Sequence, residues 1–188
     1  MRIVFLIGQS CSGKDTILKK LLERNKSLKK YITNTTRAKR PNEIDGIDYN
    51  FSTDDDYFKA LKDNKVIESR DYILRDKVVH YYSYDCGKQD GVFISVGTPT
   101  QCKSYIDYYG EDTVTPILIK VSEYNRLLWG IKRTKETTQD YYELCRRFLD
   151  EFKEYTIETI NSIPNLYIVE NNNLKHCIED IETIIKEL

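Results

Sequence analysis

The sequence predicts an α/β fold in which a parallel central sheet is wrapped by helices. Three observations carry that expectation. The chain opens on an unbroken apolar run, residues 3–7, with no polar alternation, as a central parallel strand covered on both faces requires. A glycine turn and an amphipathic helix follow at once, with Ile17, Leu18, Leu21 and Leu22 at helical spacing. Apolar strand-like runs then alternate with helical ones through the second half of the chain.

In order, residues 3–7 form the first strand, Gly8 ends it, and a helix begins near Gly13. Residues 34 to about 90 differ in character, being polar and aromatic. Candidate strands at 49–51, 66–68 and 78–84 and one helical run at 54–63 read as an inserted, mostly β region. The α/β pattern returns with a strand at 92–96, a helix at 99–109 and a buried strand at 116–121. A long polar helical stretch runs from 123 to about 160, broken near 134–138. A last strand at 166–169 leads to a helix at 174–188, with Ile178, Ile181, Ile184, Ile185 and Leu188 on one face.

At 188 residues the chain has the length of one domain, or of a core with a small insert, and folds without covalent staples. Hydrophobic residues at 40% and charged residues at 31% are globular proportions. A formal net charge of -1 gives no long-range attraction to nucleic acid, and no such partner is expected. Basic residues do cluster between Arg24 and Arg40, either as a solvated helix end and loop or as an anion-binding segment. Cys11, Cys86, Cys102, Cys145 and Cys177 are far apart and form no C-x-x-C pair, which argues against a disulfide framework and a zinc site. Only His80 and His176 are available to a histidine metal site. No charged-then-apolar leader precedes the first strand, and no apolar run approaches the ~20 residues that cross a bilayer. A reduced, cytoplasmic setting with no membrane association is expected.

Gly8-Gln9-Ser10-Cys11-Ser12-Gly13-Lys14 fits the P-loop pattern G-x-x-x-x-G-K between a buried strand and an amphipathic helix. Glycines allow a tight turn in which successive N–H groups point at phosphate oxygens, and the positive end of the helix adds to the attraction. Gly8, Ser10, Cys11, Ser12, Gly13, Lys14, Asp15 and Thr16 are therefore expected to bind a nucleoside triphosphate, with the Lys14 charge on the β and γ phosphates. Asp15 stands where a hydroxyl residue usually holds Mg²⁺. Unneutralised at ~4 Å from a phosphate charge, its carboxylate costs about 4 kcal/mol at an effective dielectric of ~20. Asp15 is accordingly expected to be tied to Mg²⁺, directly or through water; the alternative is a plain helix cap.

A second constellation runs from Thr33 to Phe51. Arg37 and Arg40 offer planar donor forks that can grip one phosphate, and Tyr49 adds a hydroxyl. Downstream, Glu68 and the run Tyr81-Tyr82-Ser83-Tyr84 set a carboxylate against an aromatic wall, which suits a purine with N–H donors on one edge. Solvated arginines and packing tyrosines are the plain alternative.

The string T-T-R-x-x-R-x-x-E-x-x-G-x-D-Y-x-F, Thr35 to Phe51, resembles the signature of the guanylate kinases. Thr16, two residues after Lys14, is similar to their P-loop, and so is the order of P-loop, insert, lid, last strand and helix. The resemblance implies a P-loop kinase three-layer fold over residues 1–188, with core segments 1–33, 92–122 and 161–188, a monophosphate-binding insert at 34–91 and a helical lid at 123–147. It implies phosphoryl transfer from ATP to GMP or dGMP, with Mg²⁺. Arg37, Arg40, Tyr49 and Tyr82 would hold the GMP phosphate. Glu68 would accept from the guanine N1–H and amino group, Thr33 would contact the base, and Ser83 would supply a small hydroxyl. Arg133, Arg146 and Arg147 of the lid would join Lys14 in stabilising charge, unless they are solvated helix charges. Asn171, in the run 171–173, matches the family's adenine contact and is equally plain turn chemistry.

The chain departs from the family at Asp15, at Tyr82-Ser83-Tyr84 where a Tyr-Gly-Ser/Thr step is usual, and at Gly97-Thr98-Pro99 where acidic residues are usual. The expected partners are small-molecule nucleotides, bound by a monomer or homodimer. The alternatives are a kinase for a different small nucleotide substrate and a non-catalytic guanylate-kinase-like binding module; the intact Lys14 argues against the latter.

Overall fold

β1 (Arg2–Ile7) runs through the middle of a five-stranded sheet ordered β2-β7-β1-β8-β9, in a computed structural model of the chain. The structure describes every residue except Asn42, Arg75, Asp76, Cys86, Lys88, Thr138 and Gln139. Cys86 and the end of the expected break at 134–138 thus lie outside the described residues. The chain divides into two compact units, residues 1–29 with 91–188, and residues 30–90.

In the first unit β1 is parallel to β7 (Val92–Gly97) and to β8 (Val114–Lys120). β9 (Tyr167–Glu170) is parallel to β8, and β2 (Lys29–Lys30) forms the far edge beyond β7. Residues 3–7 are at most 1% exposed because both faces of β1 are covered. Val4 and Leu6 meet Ile17 and Leu21 of α1 (Lys14–Arg24) and Ile178 and Ile181 of α7 (Leu174–Lys186). Phe5 points the other way, and its ring meets Tyr105 of α3 (Pro99–Tyr109) edge to face at 4.9 Å. Each buried aliphatic side chain contributes about 1.5–3 kcal/mol, so this sandwich is what fixes the loop after β1.

The long helical stretch is three helices, α4 (Glu123–Thr137), α5 (Tyr141–Glu154) and α6 (Ile157–Asn161). Asp140 starts α5 by accepting from the Tyr142 N–H, and Thr156 starts α6 by accepting from the Thr159 N–H.

The second unit is a four-stranded sheet ordered β4-β3-β6-β5. It comprises β3 (Asn34–Thr35), β4 (Asn50–Phe51), α2 (Asp54–Lys62), β5 (Val66–Leu74) and β6 (Lys77–Tyr84). β3 is parallel to β4 and antiparallel to β6, which pairs antiparallel with β5. The strand expected at 66–68 extends to Leu74; its exposed outer half ends on the consecutive apolar residues Tyr72, Ile73 and Leu74 and carries no apolar alternation to reveal it. α2 begins on a reciprocal cap between Thr53 and Asp56 and covers one face. There Tyr57 and Ala60 pack on Tyr82, and the Tyr57 ring stacks on His80 with centroids 4.0 Å apart.

A β-bulge interrupts β5. Val66 pairs with Tyr84, yet Glu68 pairs with Ser83, so Ile67 is the extra residue. Without the bulge, Val66 and Glu68, two apart in the strand, would share a face. With it, Val66 packs into the cluster under α2 while Glu68 stands on the opposite face with Ser83 and Tyr81.

Candidate nucleotide-binding site

The P-loop occupies the turn between β1 and α1, and its glycines are there for contact as well as conformation. A Cβ on Gly8 would come 2.5 Å from the Ser12 hydroxyl oxygen. Gly13 has φ +89°, and a Cβ there would lie 2.7 Å from Asn171 Nδ2. Cys11 takes the same left-handed region, at φ 62°, although it carries a side chain. Lys14 Nζ donates to the Gly8 and Gln9 carbonyls, the latter at 3.0 Å, which folds the ammonium back over the loop. Burial lowers the Lys14 pKa below its ordinary value, opposed by the nearby Asp15 and Glu151 charges.

An open cleft of ≈ 420 Å³ lies over the loop, lined by Cys11 to Thr16 with Trp129 and Arg133 of α4. That is the size of an ordinary small-ligand pocket. Asp15 and Thr16 are exposed in the first turn of α1. Ser10 is gripped from α4 and α5: its N–H donates to Glu151 Oε1, and its carbonyl accepts from Arg126 Nε at 3.0 Å.

Of the three expected lid arginines, Arg133 lines the cleft. Arg146 instead pairs with Glu143 at 2.8 Å and Asp150 at 2.6 Å, and Arg147 with Glu143 at 3.2 Å, all along α5. Asn171, expected at the adenine, is 4% exposed, and its Nδ2 donates to the Ser12 carbonyl at 2.9 Å. It braces the loop from beneath. Asn173 caps α7.

In the second unit, Arg37 donates from Nη1 and Nη2 to the two carboxylate oxygens of Glu43, at 2.8 and 2.7 Å. Its Nε donates to the Tyr81 hydroxyl at 2.7 Å. The guanidinium also lies 5.5 Å from the Tyr49 ring centre. The Glu43 and Tyr81 bonds raise Arg37 above its ordinary pKa, and Arg37 pulls the Glu43 carboxyl down to about 2. The Arg40 side chain is exposed, while its N–H donates to the same Glu43 at 2.8 Å. Ser83 Oγ donates to Glu68 Oε1 at 2.7 Å. Thr33 is half-buried beside β3, its carbonyl accepting from the Asn50 N–H at 3.0 Å.

Tyr82 requires a correction. It is 1% exposed under α2, and its hydroxyl donates to Ser52 Oγ at 3.0 Å. Side chains alternate along β6, so Tyr81 and Ser83 share the Arg37 face and Tyr82 cannot. Sequence reasoning therefore named the neighbour of the tyrosine that meets Arg37. It also passed over Glu43 and Glu151. Glu43 lay inside the quoted signature, whereas nothing in the sequence marked Glu151.

By its sheet order, strand–loop–helix turn and lysine-bearing loop, the first unit is a nucleotide-binding core of the P-loop α/β class. Residues 1–75 match the guanylate kinase family model. A guanylate kinase of Oceanobacillus iheyensis is 27% identical over 98% of this chain and 86% of its own length. One of Mycoplasma mobile is 28% identical over 98% and 92%. Identity to a guanylate kinase of a Mycobacterium species reaches 40% over 67 residues, about a third of each chain. The crystal structure of guanylate kinase from Anaplasma phagocytophilum superposes with a TM-score of 0.62 over 99% of this chain and 85% of that one, at 17% identity, which speaks to the fold. Over nearly its whole length the chain is thus similar to guanylate kinases, at 27–28% identity.

Proposed function

We propose that this chain is an ATP-dependent nucleoside monophosphate kinase that transfers the γ-phosphoryl group of ATP to GMP or dGMP. The observation that carries the reading is the shared face of the second unit. Glu68 and Ser83 lie two register positions from Tyr81, whose hydroxyl accepts from Arg37, so a carboxylate for a guanine edge and an anchored guanidinium for a phosphate stand on the same side of one hairpin. Near-full-length similarity to guanylate kinases supports it.

On the donor side, P-loop N–H groups and Lys14 hold the triphosphate, and Arg133 adds a cation at the cleft wall. On the acceptor side, Arg37, with Tyr49, Arg40 and Tyr81, holds the monophosphate. Glu68 accepts from the guanine N1–H and amino group beside the Ser83 hydroxyl. The attacking phosphate oxygen is already anionic, so no side-chain base is needed; positioning and charge neutralisation carry the catalysis.

Among the described residues no cluster of three or more acidic, His or Cys side chains forms a metal cage. The donors fit Mg²⁺ shared with substrate phosphates: the Asp15 carboxylate and Thr16 hydroxyl are hard oxygen ligands exposed beside the loop. Mg²⁺ bound there supplies neutralisation of the phosphate charge. A cytoplasmic monomer or homodimer acting on small nucleotides completes the reading. The free Cys11, Cys102, Cys145 and Cys177 fit a reducing compartment, and among the described residues no helix is long and apolar enough to cross a membrane.

A coupled assay of ADP release with GMP, dGMP, AMP, UMP and CMP tests the proposal. Turnover confined to GMP and dGMP is expected. Turnover only with another monophosphate would move the acceptor assignment, and ATP binding with no turnover would leave a non-catalytic module.

A further inference from the structure

Ser10 is held by two charged side chains that the proposed chemistry does not use. Its N–H donates to Glu151 Oε1, and its carbonyl accepts from Arg126 Nε at 3.0 Å. Arg126 Nη2 donates to Glu151 Oε2 at 2.5 Å, closing the ring of contacts. Both side chains are sheltered, at 4% and 13% exposure, and the Arg126 guanidinium lies 4.6 Å from the Phe148 ring centre. A buried ion pair costs desolvation that a pair of apolar residues would not, so its retention against one loop residue asks for a reason.

The next residue supplies one. Cys11 sits at φ 62°, a conformation that a side chain disfavours and glycine adopts freely. The N–H of Ser10 belongs to the peptide plane before it, and its carbonyl to the plane leading into Cys11. Fixing both planes fixes the backbone torsions of Ser10 and hence the entry into the left-handed turn. Asn171 holds the exit through the Ser12 carbonyl, 2.9 Å away.

We infer that Glu151 and Arg126 are positioning residues for the P-loop: they hold it in its phosphate-ready shape from α5 and α4, in place of the conformational freedom that glycine would give at position 11. The inference rests on the ATP-site half of the proposed function and is independent of the acceptor.

The test is equilibrium binding of a fluorescent ATP analogue to the full chain, with GMP binding and Tm measured alongside. Glu151→Ala should weaken the analogue about tenfold. Glu151→Gln, whose amide oxygen still accepts from Ser10, should stay within about threefold of wild type. GMP binding should be unchanged in both. Cys11→Gly added to Glu151→Ala should recover part of the loss, a non-additivity that a purely structural role for Glu151 does not give. If Glu151→Ala does not fold, Arg126→Lys decides, since lysine keeps the cation and lacks the second, forked donor; weakened ATP binding is expected. Unchanged ATP affinity in these variants, even with a lower Tm, overturns the inference. So does tighter binding, which would make Glu151 a competitor of the phosphates. Wild type that binds ATP but phosphorylates no GMP overturns the acceptor reading alone, and wild type that binds no ATP overturns both.

Discussion

Arg37 is anchored through all three guanidinium nitrogens, so its place is set by Glu43, Tyr81 and the Ala38 carbonyl as much as by its own backbone. A guanidinium held this way pays little to order itself around a phosphate. Arg37→Ala should raise the Michaelis constant for GMP at least about tenfold while ATP affinity stays at the wild-type value. Isothermal titration with each nucleotide separates the two. Glu43 gives a pH signature. Its carboxyl falls from an ordinary 4.5 to about 2, so the stability it contributes is fully present above 4.5 and is lost as pH falls through 2. Denaturant unfolding between these limits should show wild type losing stability on acidification and Glu43→Gln losing less. Arg37, Arg40, Glu68 and Ser83 could be named as candidates from the sequence because their chemistry is unusual for a loop and a strand. Tyr81 was not, because choosing between adjacent tyrosines requires the phase of the strand.

Packing between elements decides what the next level can tolerate. α4 and α5 approach at Gly130, where a Cβ would come 2.8 Å from Leu144 Cδ1 and 3.2 Å from Cys11 Sγ. Helix propensity alone favours alanine over this glycine by about 1 kcal/mol. The larger, branched side chain of Gly130→Val meets both neighbours, and overpacking costs about 1–3 kcal/mol. A lower Tm together with weaker ATP binding is the expected result, read in one thermal-shift series with and without ATP. Gly97 is similar: a Cβ there would meet the Phe5 ring at 2.8 Å and the Gln101 carbonyl oxygen that caps α3 at 2.5 Å. The missing acid at that strand end is thus matched by the surrounding packing. β1 was legible from its unbroken apolar run, and α1 and α7 from their apolar periods. The outer half of β5 and the two-residue β3 were not, because cross-strand partners hold them and their own sequences lack a period.

At the scale of the whole molecule, the proposed function assigns donor and acceptor chemistry to separate compact units, a division that the order of motifs along the chain also suggests. The magnesium dependence of ATP affinity tests the donor half. Asp15→Ser should change that dependence; an identical dependence in wild type and variant would remove Asp15 from metal handling. What the motif order did not carry was the hold on the loop from α4 and α5, since Arg126 and Glu151 are 25 residues apart and meet only after folding. The alternation along β6 reaches further than one misplaced tyrosine. Positions 81 and 83 share the face on which the proposed function places the acceptor, while 80, 82 and 84 answer to the packing beneath α2. A saturation scan of this strand should therefore split by parity, with odd positions tracking acceptor choice and even positions tracking heat tolerance. The strand is two interleaved texts, each free to drift without rewriting the other.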